Sequence, residues 1–474
     1  QRAETWGAMT PQTRFSYAQF LDAQHETAAA ISQVRKLLDS APNDAHLHDA
    51  LGTLLAEQKQ WTEAEQEFRQ ALALHPALAA AHLHLGVLYS QTQRSGEAVD
   101  ELKQATAHDP QSALAQLSLA KALAASGKET DAVAAYQRTI ALAEASGNFG
   151  AADAAIADDA RYQAGLLLQK SGRAQEAIPY FSAMVEKQPT RVDAVSNLAL
   201  ALVQTGKAKD AIPYYERALK LTPKDALLYN QLGAAYLQQE DLKDAVAQFR
   251  NGLAIDSGIA ELHYNLGLAL KLQDDLAGAV PELVRAAELD PSLPDPHVTL
   301  GVLYLQQGKF DPASAELQTA LRLKPDDAGN WLLLGSVYKQ QNRLPDAVKA
   351  LREAIRLQPE SPGPHLTLAG ILEQQGDSAA AADERKLGAQ LTRSVISRQS
   401  AVFATNAGNL LLQKGQLDEA IAQYRAAIKN DPGYGEAHRQ LASALERKGL
   451  TAEAELEREQ AQQAGSSLGA PAKP

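Results

Sequence analysis

Apolar residues recur along the chain at helical spacing, in pairs of stripes separated by short polar stretches. Leu-Gly pairs stand at Leu51-Gly52 and Leu85-Gly86, then at Leu232-Gly233, Leu266-Gly267, Leu300-Gly301 and Leu334-Gly335, with 34 residues between neighbours in each run. A proline keeps the same period at Pro42, Pro76 and Pro110, at Pro189 and Pro223, and at Pro291, Pro325 and Pro359. Between them an alanine precedes a large apolar residue by four places, as in Ala64/Phe68, Ala177/Phe181, Ala211/Tyr215, Ala245/Phe249 and Ala420/Tyr424. This pattern predicts two helices per period. The proline ends the second helix, because it lacks an N–H and disfavours helix at the residue before it.

A single period cannot bury its own apolar stripe, so such units are stable when stacked on their neighbours. The phase places units at 11–44, 45–78, 79–112 and 113–146, seven more from 158 to 395, and two at 401–434 and 435–468. The expected organisation is therefore a lead at 1–10, four units over 11–146, an insertion at 147–157, units five to eleven over 158–395, a short insertion at 396–400, and units twelve and thirteen with a polar cap over 401–464. Residues 465–474 are expected to be a disordered tail. The unit at 362–395 carries Arg385 and Gly388 where a large apolar residue and an alanine are usual. Its second helix is therefore expected either to pack loosely or to continue into the next unit.

Trp331, Leu334, Gly335, Tyr338, Ala347, Leu351, Ala354 and Pro359 closely resemble the tetratricopeptide signature. The resemblance extends over nearly the whole chain. It implies an all-α fold, a right-handed superhelical solenoid of about thirteen helix–turn–helix units, with an inner face lined mainly by first helices.

Composition agrees with helix: Ala, Leu, Gln and Glu dominate, and β-branched residues are sparse. The formal charge of -12 argues against a nucleic-acid partner, which requires clustered Lys and Arg. No run of 18 apolar residues predicts a membrane-inserted helix. The absence of cysteine excludes disulfides, thiolate metal sites and a cysteine nucleophile. The start at Gln1 is read either as the product of a cleaved export signal, placing the protein in a periplasmic or extracellular setting, or as trimming of a cytoplasmic protein.

No phosphate-cradling glycine loop, His-Glu-x-x-His helix or Gly-x-Ser-x-Gly elbow is present, so neither enzymatic activity nor a cofactor is expected. His48, His82, His263, His297, His365 and His438 share the slot of Trp331. They read as half-buried packing residues; a metal site would need ligands spaced to converge, and His46/His48 and His82/His84 are spaced by two.

Two rows of amides fall on the face that the resemblance makes concave. One reads Gln163, Asn197, Gln231, Asn265 and Thr299, with Asn406 and Gln440 further on; the other reads Gln204, Gln238, Gln306, Gln340, Gln374 and Gln413. Carboxamides carry donors and an acceptor, so such a ladder suits the backbone of an extended peptide. It resembles the asparagine ladder of the tetratricopeptide arm of O-linked N-acetylglucosamine transferases, with the row broken at Ala50 and Leu333. The alternative is a solvated polar face. A carboxylate clamp is not expected, since its positions hold Leu332 and Ser336, or Val298 and Val302. The expected role is a scaffold for partner proteins or peptides; self-association into filaments and a regulatory arm of a larger glycosyltransferase-type assembly are the alternatives.

Overall fold

In the regular repeats the first helix is 13 residues long and the second 14, as in Ala226–Gln238 and Leu242–Ile255. A three-residue turn joins them. The computed structural model describes residues 10–145 and 150–467, and over these the chain forms 25 α-helices packed as successive antiparallel pairs. The middle residue of the turn after each first helix has left-handed backbone: His25, Lys59, Gln93, Glu240, Asp274 and Asn342, and seven glycines in the equivalent place. These thirteen turns are one per repeat, which confirms the repeat number. Glycine suits the position because it lacks the Cβ that clashes there.

Some first helices are capped by an aspartate at their start. The Asp44 carboxylate accepts from the N–H groups of His46 and Leu47 at 2.9 and 3.3 Å, and Asp225 repeats this with Leu227 and Leu228 at 3.0 and 3.2 Å. Each such cap supplies an acceptor to amides that have no partner inside the helix. Within each pair the core is built from the alanine and aromatic positions of the repeat. Phe68, Phe181, Phe249, Tyr215 and Tyr424 are fully buried, and Ala64, Ala177, Ala211, Ala245 and Ala420 lie beside them with no exposed surface.

The chain divides into two compact blocks, Gln1–Ser257 and Gly258–Pro474. In the first block, the irregularity after the fourth repeat lengthens both flanking helices. The helix Glu129–Ala145 has 17 residues and Ala151–Lys170 has 20, so most of the expected insertion at 147–157 is helical; Gly147, Asn148 and Phe149 lie outside the described residues. Arg161 is buried here and is held by Glu144 and Asp158.

In the second block, Ser378–Gln413 is one helix of 36 residues. It absorbs 396–400 without a break and serves as second helix of one repeat and first helix of the next. Arg385 is exposed and pairs with Glu373 at 3.3 Å, while a Cβ on Gly388 would stand 2.7 Å from Leu366 Cδ2. The small residue therefore lets the long helix approach its partner where the aromatic is missing. The last helix runs to Ser467, so the expected tail at 465–474 is helical at its start; the remainder lies outside the described residues, as does the lead at 1–9.

Candidate functional site

The first amide row lies one residue before the leucine or alanine that enters the core of each first helix; Gln163, Asn197, Gln231 and Gln440 are half-buried there and Thr299 is buried. Several members bond within their own helix. Gln163 Nε2 donates to Asp159 Oδ1 at 3.3 Å, Gln440 Nε2 to Glu436 Oε1 at 2.7 Å, and Asn197 Nδ2 to the Asp193 carbonyl at 2.8 Å. The Thr299 hydroxyl likewise donates to the Asp295 carbonyl at 2.9 Å. These bonds use donors and leave the acceptor oxygens of the carboxamides for other partners. Gln231 differs: its Oε1 is buried and finds no hydrogen-bond partner among the described residues. Asn265 is half-buried and Asn406 is exposed.

The second row, Gln204, Gln238, Gln306, Gln340, Gln374 and Gln413, consists of the last residues of first helices, and all are exposed. Leu166 and Leu200 in the first block and Leu268 and Val302 in the second are half-buried between the rows. Each block therefore carries its own strip of amides interleaved with apolar side chains.

The six histidines are more than packing residues. Nδ1 of His48, His82, His263, His297, His365 and His438 meets a Glu carboxylate at 2.6–2.7 Å: Glu67, Glu101, Glu282, Glu316, Glu384 and Glu457 in turn. For four of them Nε2 reaches the carbonyl of the proline six residues back: Pro42, Pro76, Pro359 and Pro432, at 2.9 to 3.2 Å. Trp331 Nε1 donates to the Pro325 carbonyl at 2.8 Å in the same way. The slot thus clips the start of a first helix to the turn before it and to its own second helix. Sequence reasoning missed the glutamates, although the signal was present. Glu follows each of the six histidines by 19 residues, and none of the other seven repeats has Glu there.

Glu384→Ala should cost about 1–2 kcal/mol, because it strips the partner from a ring in a buried slot. His365→Trp with Glu384→Ala copies the Trp331/Ala350 pair and should recover most of that loss. Urea unfolding of the single and double variants would check both; equal losses would mean that the pairing contributes nothing.

Ionisable groups held away from their ordinary values serve packing and ion pairs. Burial, with help from Asp159, pushes the Tyr136 hydroxyl up to about 12, and burial alone raises Tyr215. Burial, and a hydrogen bond that the protonated Glu57 carboxyl donates to the Asp22 carboxylate, raise Glu57. Among the described residues no three His, Cys, Asp or Glu side chains are grouped to hold a metal ion, and no helix is long and apolar enough to cross a membrane.

The helix pairs, their period and the small residues at the crossings decide the family, and the comparisons agree. Residues 150–402, more than half of the chain, match the family described as the Cilia and flagella-associated protein 70 C-terminal domain, and tetratricopeptide-repeat families match residues 18–79, 55–117 and 408–449. The chain belongs to this tetratricopeptide-repeat family. Tetratricopeptide proteins are typically protein-interaction scaffolds and generally non-catalytic. Among solved structures it is similar to YrrB, "a TPR protein with an unusual peptide-binding site", at 24% identity over 39% of this chain and 95% of that one, with a TM-score of 0.34. It is similar to PilF of Pseudomonas aeruginosa at 22% identity over 41% and 88%, with a TM-score of 0.38. The anaphase-promoting complex assembly Cut9–Hcn1 is similar at 14% identity over 94% and 98%, with a TM-score of 0.36. No curated protein matches the chain.

Proposed function

We propose that the chain is a non-enzymatic scaffold that holds extended segments of partner proteins along its amide strips. The observation that carries this reading is the buried Oε1 of Gln231, which has no partner among the described residues, within a row in which Gln163, Asn197 and Gln440 direct their donors to their own helices. An unpaired buried acceptor costs about 1–3 kcal/mol, and turning the carboxamide outward to accept from a peptide N–H would recover that cost. The half-buried Leu166 and Leu200 beside the row offer places for alternate side chains of an extended segment. The domain family of residues 150–402 supports a partner belonging to cilia or flagella.

Pull-down with the whole chain, read by mass spectrometry, tests the scaffold role. Asn197→Ala with Gln231→Ala should lower recovery of the main partner about ten-fold. Gln231→Leu alone should leave stability unchanged or raise it, since it removes the orphaned oxygen. Retention of no protein by the native chain, or recovery unchanged in the double variant, would overturn the proposal.

A further inference from the structure

The clip between the histidine slot and its glutamate is missing in the repeat at 328–361, where Trp331 faces Ala350 in place of a His–Glu pair. At that place the second block has a cleft of about 470 Å³, lined by Leu321, Trp331, Leu334, Tyr338 and Ala350. Its walls come from three helices: Phe310–Leu323, Ala328–Gln340 and Leu344–Leu357. In the repeats that keep the clip, a glutamate side chain stands at the position of Ala350 and reaches toward the slot. Alanine leaves that space open.

The first block has a cleft in the same register at Arg161 and Tyr180, about 520 Å³ in volume, but its polar groups are engaged. Arg161 is held by Glu144 and Asp158, and the Tyr180 hydroxyl accepts from Gln137 at 2.9 Å.

Charge separates the two. On the rim of the Trp331 cleft, Asp346 is paired with Arg343 at 2.8 Å and Glu353 with Arg356 at 2.8 Å. Arg322, also on the rim, bonds the Thr319 hydroxyl at 2.9 Å and meets no carboxylate among the described residues; Lys349 makes no hydrogen bond or ion pair among them. Both side chains are exposed. The cleft therefore has an aromatic and aliphatic floor, and a rim with two uncompensated cations. We propose that it is a second binding site, which takes one large apolar side chain from an acidic segment of a partner protein. It is distinct from the amide strips and shares no residue with them. The apolar floor supplies affinity by burial of that side chain, and Arg322 and Lys349 select for carboxylates beside it.

The test uses the whole chain and a short fluorescein-labelled peptide with one central Phe flanked by Asp and Glu. Two control peptides replace Phe by Ala, or the acidic flanks by Lys and Arg. The acidic Phe peptide should bind at least about ten-fold more tightly than either control. Trp331→His with Ala350→Glu rebuilds the clip that six other repeats already use, so it should fold normally and lose about ten-fold or more in binding. Arg322→Glu with Lys349→Glu should do the same, with an unchanged thermal melt. Asn197→Ala with Gln231→Ala should leave this binding intact, which separates the cleft from the amide strips. The proposal fails if the rebuilt clip binds as the native chain does, if the basic peptide binds as well as the acidic one, or if the amide variant alone abolishes binding.

Discussion

Gly233→Val is expected to destabilise the protein by about 3 kcal/mol or more. A Cβ built on Gly233 would stand 2.5 Å from Cε1 and 2.7 Å from Cδ1 of Phe249, a ring with no exposed surface in the middle of its helix pair. Valine adds two further methyl groups, and neither the ring nor the helices around it have space to give. Close-packed interiors answer added volume with strained rotamers or backbone shifts. Gly96 is the control. Nothing lies within 4 Å of its Cβ position, so Gly96→Ala should be neutral or stabilise by a few tenths of a kcal/mol. Because each repeat leans on its neighbours, the damage at Gly233 should be greatest near its own pair. Hydrogen exchange across 226–255, alongside a urea melt, would show it; protection equal to the native chain would mean that the pair relaxes freely.

Val395→Pro should break the 36-residue helix and cost about 3 kcal/mol. Val395 is 40% exposed, so its side chain contributes little to the core and the effect comes from the backbone. Proline there removes the N–H that bonds the carbonyl four residues earlier, and its ring clashes with that carbonyl. Val395→Ala keeps the backbone bond and should stay within about 0.5 kcal/mol of the native chain. The proline variant should also expose a protease-sensitive point near 393–398 and lower the stability of the repeats after it. If both variants melt and cleave alike, the helix does not couple its two repeats.

The repeat number was legible because the same packing problem recurs at each step. Gly52, Gly233 and Gly335 occupy one crossing point, and at each a Cβ would meet the side chain opposite at less than 3.0 Å. The left-handed turns were not legible in the same way. Lys59, Gln93 and Glu240 carry the conformation without glycine, because tertiary packing of the flanking helices overrides a local cost of about 1–2 kcal/mol. The glutamates of the clips stood in plain view at a spacing of 19 residues. They were missed because two residues 19 apart in sequence become neighbours only when the chain turns back on itself.

The candidate site divides similarly. Carboxamides at fixed positions could be counted along the chain, but their hydrogen bonds could not. Gln163, Asn197 and Gln440 direct donors to groups four residues back on their own helices, whereas the oxygen of Gln231 is buried with no donor to accept from among the described residues. The opening at Trp331 has the same origin. Ala350 looks like an ordinary small residue until the surrounding helices show that other repeats fill its place with glutamate. The sequence by itself determined the period, the helix pairing and the family, because these follow from local propensity and from apolar spacing within 34 residues. Tertiary structure alone decided which polar atoms are engaged and where a missing side chain leaves a cleft, because both depend on residues that only packing brings together.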